Sequence, residues 1–334
     1  MPTGATFTAD VLTIDPARSA AEIEEALRTV VSRQLHRRGG VVAVSGGIDS
    51  SVTAALTARA LGAERTLALL LPEADSAPET LELSRLAAEA FGIETFVEDI
   101  SPILEATGCY ARREAAVREV IPEFGDGWRF KIVLPSVVST EGYRLFSLVA
   151  QSPEGNTIEA RLPPEQYRMI VAATNFKQRT RKMLEYFHAD RLNYAVVGTP
   201  NRLEYDQGFF VKLGDGAADV KPIAHLYKSQ VYQLAEHLGV PERVRERPPT
   251  TDTYSLSQSQ DEFYFSLPYE GMDLCLYGRN HGLPPEAVAD AVGLSPAQVQ
   301  RVYEDIDHKR VATRYLHLGA QLLQPVAELE RQAT

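Results

Sequence analysis

Seven residues, Ser45-Gly46-Gly47-Ile48-Asp49-Ser50-Ser51, lie between an apolar run (Val41 to Val44) and a helix-like run (Val52 to Leu61). Strand, small-residue turn, helix is an order that aims backbone N–H groups and a helix N-terminus at an anion. Two glycines let the backbone approach that anion closely. The hydroxyls of Ser45, Ser50 and Ser51 are expected to donate to phosphate oxygens. A carboxylate at Asp49 repels phosphate unless a divalent cation lies between them. The loop therefore reads as a cradle for a polyphosphate with its metal. The plain alternative is a tight strand-to-helix turn in which Asp49 or Ser50 only caps the helix.

The Walker pattern requires Gly-Lys-Ser/Thr, which this loop lacks. SGGIDSS instead resembles the PP-loop of the ATP pyrophosphatases, which split ATP to AMP and pyrophosphate.

Alternation of short apolar runs with helical patterns continues along the chain. A helix is expected near 20–36, strands at 66–71 and 94–100, and a helix near 78–91 between them. After a helix near 167–188 comes a strand at 194–197 that ends in Gly198-Thr199. This predicts an α/β fold: a doubly wound parallel sheet with helices on both faces. Ligands in such sheets bind beyond the carboxyl ends of the strands. Both Ser45-Gly46-Gly47 and Gly198-Thr199 fall at such ends. Between about 125 and 165 the pattern changes to three short strands with turn signals at Gly142 and Pro153-Glu154-Gly155-Asn156, which predicts a small antiparallel β insertion. The expected organisation is one domain over residues 1–334, with the insertion at 125–165 and a helical segment at 283–334.

Composition removes several classes. The charge sum is 34 − 45 = −11, which argues against a broad nucleic-acid or anionic-membrane surface. The stretch 285–302 superficially resembles a helix-turn-helix, but its second helix runs into Glu304, Asp305 and Asp307 rather than into basic residues. No apolar run is long enough to span a membrane, and no signal peptide is apparent. Cys109 and Cys275 have no metal-type spacing and are expected to be buried thiols in a reducing, cytoplasmic setting.

Further segments, in order, resemble the NAD synthase family: Asn175-Phe176-Lys177-Gln178-Arg179-Thr180-Arg181; Gly198-Thr199-Pro200-Asn201-Arg202-Leu203-Glu204; Gly208-Phe209-Phe210-Val211-Lys212-Leu213-Gly214-Asp215-Gly216-Ala217-Ala218-Asp219; Leu226-Tyr227-Lys228-Ser229-Gln230; Pro249-Thr250-Thr251-Asp252; and Asp307-His308-Lys309-Arg310. The likeness spans most of residues 20–315 apart from the insertion. It implies an adenine nucleotide alpha hydrolase-like fold and the ATP-dependent amidation of deamido-NAD. ATP adenylates the carboxylate, pyrophosphate leaves, ammonia attacks and AMP departs.

The resemblance implies that ATP meets Ser45, Gly46, Gly47, Asp49, Ser50, Ser51, Leu71, Thr199, Lys228 and Thr250. It implies that Mg²⁺ is held by Asp49 and Glu204, and that Asp49, Lys228 and Asp215 are catalytic. Asn175, Arg179, Lys212, Asp215, Asp219, His308 and Lys309 are the implied acceptor contacts. The residues make chemical sense unaided: Lys228 can neutralise phosphate as a point charge, and Asp215 can bind ribose hydroxyls or take a proton from ammonium. No histidine is assigned acid–base work. The sequence departs from the family at Val171, where a phenylalanine often stacks on the pyridine ring, and at Thr174, usually a smaller residue.

Glutamine-dependent members carry an added glutaminase domain. The loop begins at Ser45, too early to leave room for one, so free ammonia is the expected donor, with a separate glutaminase as the other source. A homodimer is expected. The rival readings are a relative that adenylates another carboxylate, and a non-catalytic nucleotide-binding protein. A sulfur-transferring tRNA enzyme would want catalytic or zinc-binding cysteines and a basic surface.

Overall fold

The computed structural model describes residues 7–138, 145–249, 253–259, 264–265 and 267–326. In chain order its elements are α1 (Pro16–Arg28), β1 (Gly40–Ala43), α2 (Ile48–Leu61), β2 (Thr66–Leu70), α3 (Pro78–Ala90), β3 (Glu94–Val97), α4 (Ser101–Ala106), α5 (Cys109–Val120), β4 (Arg129–Val133), β5 (Ser147–Gln151), β6 (Thr157–Arg161), α6 (Pro164–Leu192), β7 (Ala195–Val196), α7 (Arg202–Gln207), α8 (Lys228–Leu238), α9 (Glu242–Arg245), α10 (Tyr269–Asn280), α11 (Pro285–Val292) and α12 (Pro296–His317).

Four strands pair in parallel in the order β3-β2-β1-β7, with Val41 opposite Leu67 and Val196. Strand alternation sends their side chains to two apolar layers. Val42, Val44, Ala68, Leu70, Ala195 and Val197 meet α1, α2, α3 and α8. Val41, Leu67, Leu69 and Val196 meet the other face, packed with Leu104, Cys109, Leu184 and Ala189. Both faces are thus covered, which is why these strands read as continuous apolar runs. The chain winds β1 to β2 to β3 in one direction and then returns to pair β7 on the far side of β1. That reversal opens a crevice at the carboxyl ends of β1 and β7, where such sheets bind ligands.

The second sheet, β4-β5-β6, is antiparallel. Phe130, Ile132, Leu148 and Ala150 are buried on one face against Ala116, Val117 and Ile121 of the α5 region and Ile170 of α6. Its three strands fall within the stretch expected to be β-rich. A third core gathers α10, α11 and α12 around Leu203 and Tyr227.

Three boundaries differ from expectation. The first helix starts at Pro16, because the Asp15 side chain caps it by accepting from the Arg18 N–H at 3.1 Å. Strand β3 stops at Val97 because Asp99 captures the backbone N–H and hydroxyl of Ser101 and opens α4 instead. Helix α6 runs past 188 to Leu192 and ends where Asn193 turns left-handed.

Candidate active site

A cavity of about 510 Å³ lies beyond the carboxyl ends of β1 and β7. One face of α6 forms its long wall, through Tyr167, Val171, Asn175, Gln178, Lys182 and Glu185. At a helical rise of 1.5 Å per residue that wall is roughly 27 Å long. One end of the cavity is charged and the other aromatic.

The charged end is built by three helix starts. Gly47 is the N-cap of α2, which places Asp49 in its first turn. Gly46 has φ +69°, and a Cβ there would sit 2.8 Å from Leu83 Cβ, so the turn needs glycine. Asn201 caps α7: it accepts from the Glu204 N–H at 3.2 Å, and its own N–H donates to Glu204 Oε2 at 3.2 Å. The Asn201 amide also donates to Asp49 Oδ1 at 3.1 Å. Lys228, the first residue of α8, forms a close ion pair with Asp49.

Asp49, Asn201, Glu204 and Lys228 are therefore one connected group on a buried floor. Burial, and then the charge of Asp49, push the Glu204 carboxyl up to about 8. Burial opposes the charge on Lys228, but Asp49 and Glu204 outweigh it and hold the ammonium above its ordinary value. Two carboxylates and one ammonium facing one cavity suit a metal-bound polyphosphate, with Lys228 released from Asp49 to meet an incoming charge.

Of the residues singled out by sequence, Ser45, Gly47, Asp49, Ser50, Leu71, Asn175, Thr199, Glu204, Asp215, Lys228 and Lys309 line the cavity. Ser51 does not face it. Its hydroxyl donates to the Gly47 carbonyl at 2.9 Å, within the first turn of α2. Thr250 lies outside the described residues. Asp215 is half-buried, accepts from the Val211 N–H at 2.7 Å, and has its carboxyl raised by loss of solvent around it. Lys309 pairs with Asp305 at 2.7 Å and donates to the Tyr264 carbonyl at 2.6 Å.

Four expected acceptor contacts lie elsewhere in this chain. Lys212 reaches the carbonyls of Tyr315 and Leu318 at 2.7 and 2.8 Å. Arg179 faces the outside beside Met183 and Leu213 and donates to the Lys212 carbonyl at 3.3 Å. Asp219 accepts from the Val196 N–H at 2.8 Å and the Tyr186 hydroxyl at 3.2 Å, which ties β7 to α6. His308 is exposed on α12. Both cysteines are buried free thiols, as expected.

Three other features carry no signal along the sequence. Lys177, fully buried on α6, donates to Glu73 at 2.8 Å, Asp75 at 2.7 Å and the Thr253 carbonyl at 3.1 Å. Arg113 pairs closely with Asp75, and the Tyr110 hydroxyl donates to Glu73 at 2.8 Å. Burial opposes ionisation of Asp75, but Lys177 and Arg113 overcome it and hold the carboxyl below its ordinary value. Asp273 of α10 accepts from the N–H groups of Lys228 (3.2 Å) and Ser229 (2.7 Å) and from the Ser229 hydroxyl (2.6 Å), so it fixes the start of α8. Arg247 donates to the Ser45 carbonyl at 3.2 Å and to the Thr80 hydroxyl at 2.9 Å across the mouth of the loop. Only the Asn201-x-x-Glu204 capping spacing carried a readable signal.

Comparison with known proteins gives the family and the fold. A family model described as NAD synthase matches residues 19–121 and 152–313. A Rhizobium meliloti (strain 1021) protein named NH(3)-dependent NAD(+) synthetase is 62% identical over 324 residues, 97% of each chain. A Thermotoga maritima protein of the same name is 36% identical over 265 residues, covering 79% of this chain and 86% of that one. Among solved structures, the NH3-dependent NAD synthetase from Campylobacter jejuni has a TM-score of 0.61 at 20% identity, covering 93% of this chain and all of that one, a likeness of fold. The segment between the two matched blocks of the family model contains all of β4 and β5.

Proposed function

The chain belongs to the NAD synthase family, and from that membership we propose that it makes NAD by amidating deamido-NAD, with ATP as the activating substrate and ammonia as the nitrogen donor. The observation that carries this is the Asp49–Asn201–Glu204–Lys228 group, joined at the topological switch point and facing one cavity with Asn175 and Asp215.

An oxygen of the acceptor carboxylate attacks the α-phosphorus of ATP, and pyrophosphate leaves. Ammonia then attacks the carbonyl carbon, and AMP leaves with the oxygen. The protein's part is positioning and charge neutralisation. The N-terminus of α2 presents backbone N–H groups to phosphate. Lys228 supplies a compact cation to the charge that builds on the departing pyrophosphate. Asp215, whose carboxyl is raised by burial, takes the proton that ammonium must lose.

Asp49 and Glu204 offer hard oxygen donors and would hold Mg²⁺. That ion, bound there, neutralises phosphate charge. Such an ion would complete its shell with phosphate oxygens and water.

A homodimer fits an exposed apolar strip in which Met183 and Phe187 stand one turn apart on α6, beside Phe96 of β3. Arg179 lies on the same surface, beside Met183. Two buried free thiols suit the cytoplasm. No described helix is long and apolar enough to cross a membrane.

Incubation with ATP, Mg²⁺, ammonium and deamido-NAD should yield NAD, AMP and pyrophosphate in equal amounts. AMP release with another acid, and no NAD from deamido-NAD, would overturn the assignment of the acceptor. Light scattering that gives one chain per particle would contradict the dimer.

A further inference from the structure

Several aromatic rings face the cavity, and they are not equivalent. Phe209 stacks on Tyr264 at 4.7 Å, and Lys309 lies over Tyr264 at 4.5 Å. Phe210 stacks on Tyr205 at 6.0 Å, and Lys221 lies over Tyr205 at 4.8 Å. A cationic ring brought to either pair meets a like charge already in place. Phe146 and Tyr167 form the third pair, with centroids 4.3 Å apart and planes within 19°. Among the described residues no lysine or arginine lies over either ring.

Phe146 is fixed in place. Its carbonyl accepts from the Leu162 N–H at 2.8 Å, which extends the pairing of β5 with β6. Tyr167 is anchored on α6. One and two turns further along the same face come Val171 and Asn175. Val171 and Asn175 both line the cavity there, and Asn175 offers an amide to a polar ring substituent. Phe146 and Leu134, both on the cavity wall, belong to the segment that the family model leaves unmatched.

The small sheet also holds a second part of the wall. The Leu256 N–H donates to the Phe130 carbonyl at 3.0 Å, the Ser255 hydroxyl accepts from the Phe130 N–H at 3.0 Å, and Gln258 donates to the Ile132 carbonyl at 2.7 Å. Residues 253–258 are thereby laid along the free edge of β4, with Thr253 and Tyr254 at the cavity.

We propose that Phe146 and Tyr167 are the platform on which the pyridinium ring of the acceptor stacks, and that the small sheet sets acceptor specificity by delivering Phe146 to the cavity. This rests on the NAD-forming activity proposed above. The acceptor carries its reacting carboxylate on a flat, positively charged ring. An electron-rich aromatic face attracts such a ring through its quadrupole, by offset stacking and cation–π attraction.

Initial rates are measured with deamido-NAD varied at saturating ATP and ammonium. Phe146→Leu and Tyr167→Leu should each raise the KM for deamido-NAD about tenfold, and leave the KM for ATP and kcat within about twofold. In Phe146→Trp, deamido-NAD should quench the new tryptophan beyond the change the wild type shows through Trp128, because a stacked pyridinium accepts charge from indole. Folded Leu variants with the wild-type KM for deamido-NAD would overturn the proposal. So would an unquenched Phe146→Trp protein, a result that stands even if a Leu variant fails to fold. A wild type that makes no NAD would instead overturn the activity itself.

Discussion

The two ends of the cavity are built by different means. At the charged end each group sits at or near a helix start: Asp49 in the first turn of α2, Glu204 in the first turn of α7 and Lys228 at the head of α8. A helix start is specified by a few neighbouring residues, so the chemistry is written in short motifs. At the aromatic end Phe146, Tyr167 and Tyr254 come from the start of β5, a long helix and a strap, and the strap is held to the small sheet by pairing across more than a hundred residues. A site of the first kind is defined by charge and tolerates little change. A site of the second kind is defined by shape, and one added sheet can remodel it without touching the first.

The largest test of that contrast is Lys228→Ala. It should lower kcat by about 10³-fold, the scale on which a preorganised electrostatic group matters, with little change in the KM for deamido-NAD. A comparable loss of acceptor binding would mean the two ends are not separable.

Next is Lys177→Met. It leaves Glu73 and Asp75 buried with Arg113 as their remaining cation, and should destabilise the fold by about 3 kcal/mol, read from urea midpoints. A drop that small surface changes could match would show the network to be peripheral.

Asp273 gives the third. Burial pushes its carboxyl up to about 6 from 3.8. A pKa raised on folding means that ionisation of Asp273 weakens the native state. Its stabilising contribution is complete below pH 3.8 and is lost as pH rises through about 6. Wild type minus Asp273→Asn stability should therefore fall by about 3 kcal/mol over that window. A rise with pH would contradict the burial argument.

The smallest is Gln258→Ala. Removing its bond to the Ile132 carbonyl should cost about 1 kcal/mol and loosen residues 253–258, seen as faster amide exchange there. Exchange unchanged in that strap would separate it from the small sheet.

Much of this arrangement was legible in the sequence. The parallel sheet followed from apolar runs alternating with helical periods, and the loop from SGGIDSS between a strand and a helix. The small sheet showed as a change of pattern near residue 125. Lys212, Arg179 and Asp219 do not line the cavity of this chain, because a motif gives order along the chain but not the direction of a side chain; Asp219 turns inward to serve β7. Lys177, Glu73 and Asp75 were silent because their pairing spans about a hundred residues and no local period marks it. Phe146 was silent because a stacked pair across two elements leaves no spacing to read.

If one end of the cavity carries out adenylation while the other chooses the acceptor, mutation separates the two. ATP–pyrophosphate exchange, measured without ammonia and driven by deamido-NAD, isolates adenylation. Lys228→Ala should fail to exchange at any deamido-NAD concentration, and Phe146→Leu should recover wild-type exchange once deamido-NAD is raised about tenfold. Exchange by Lys228→Ala at the wild-type rate, or a Phe146→Leu defect that saturating deamido-NAD does not repair, would contradict the account.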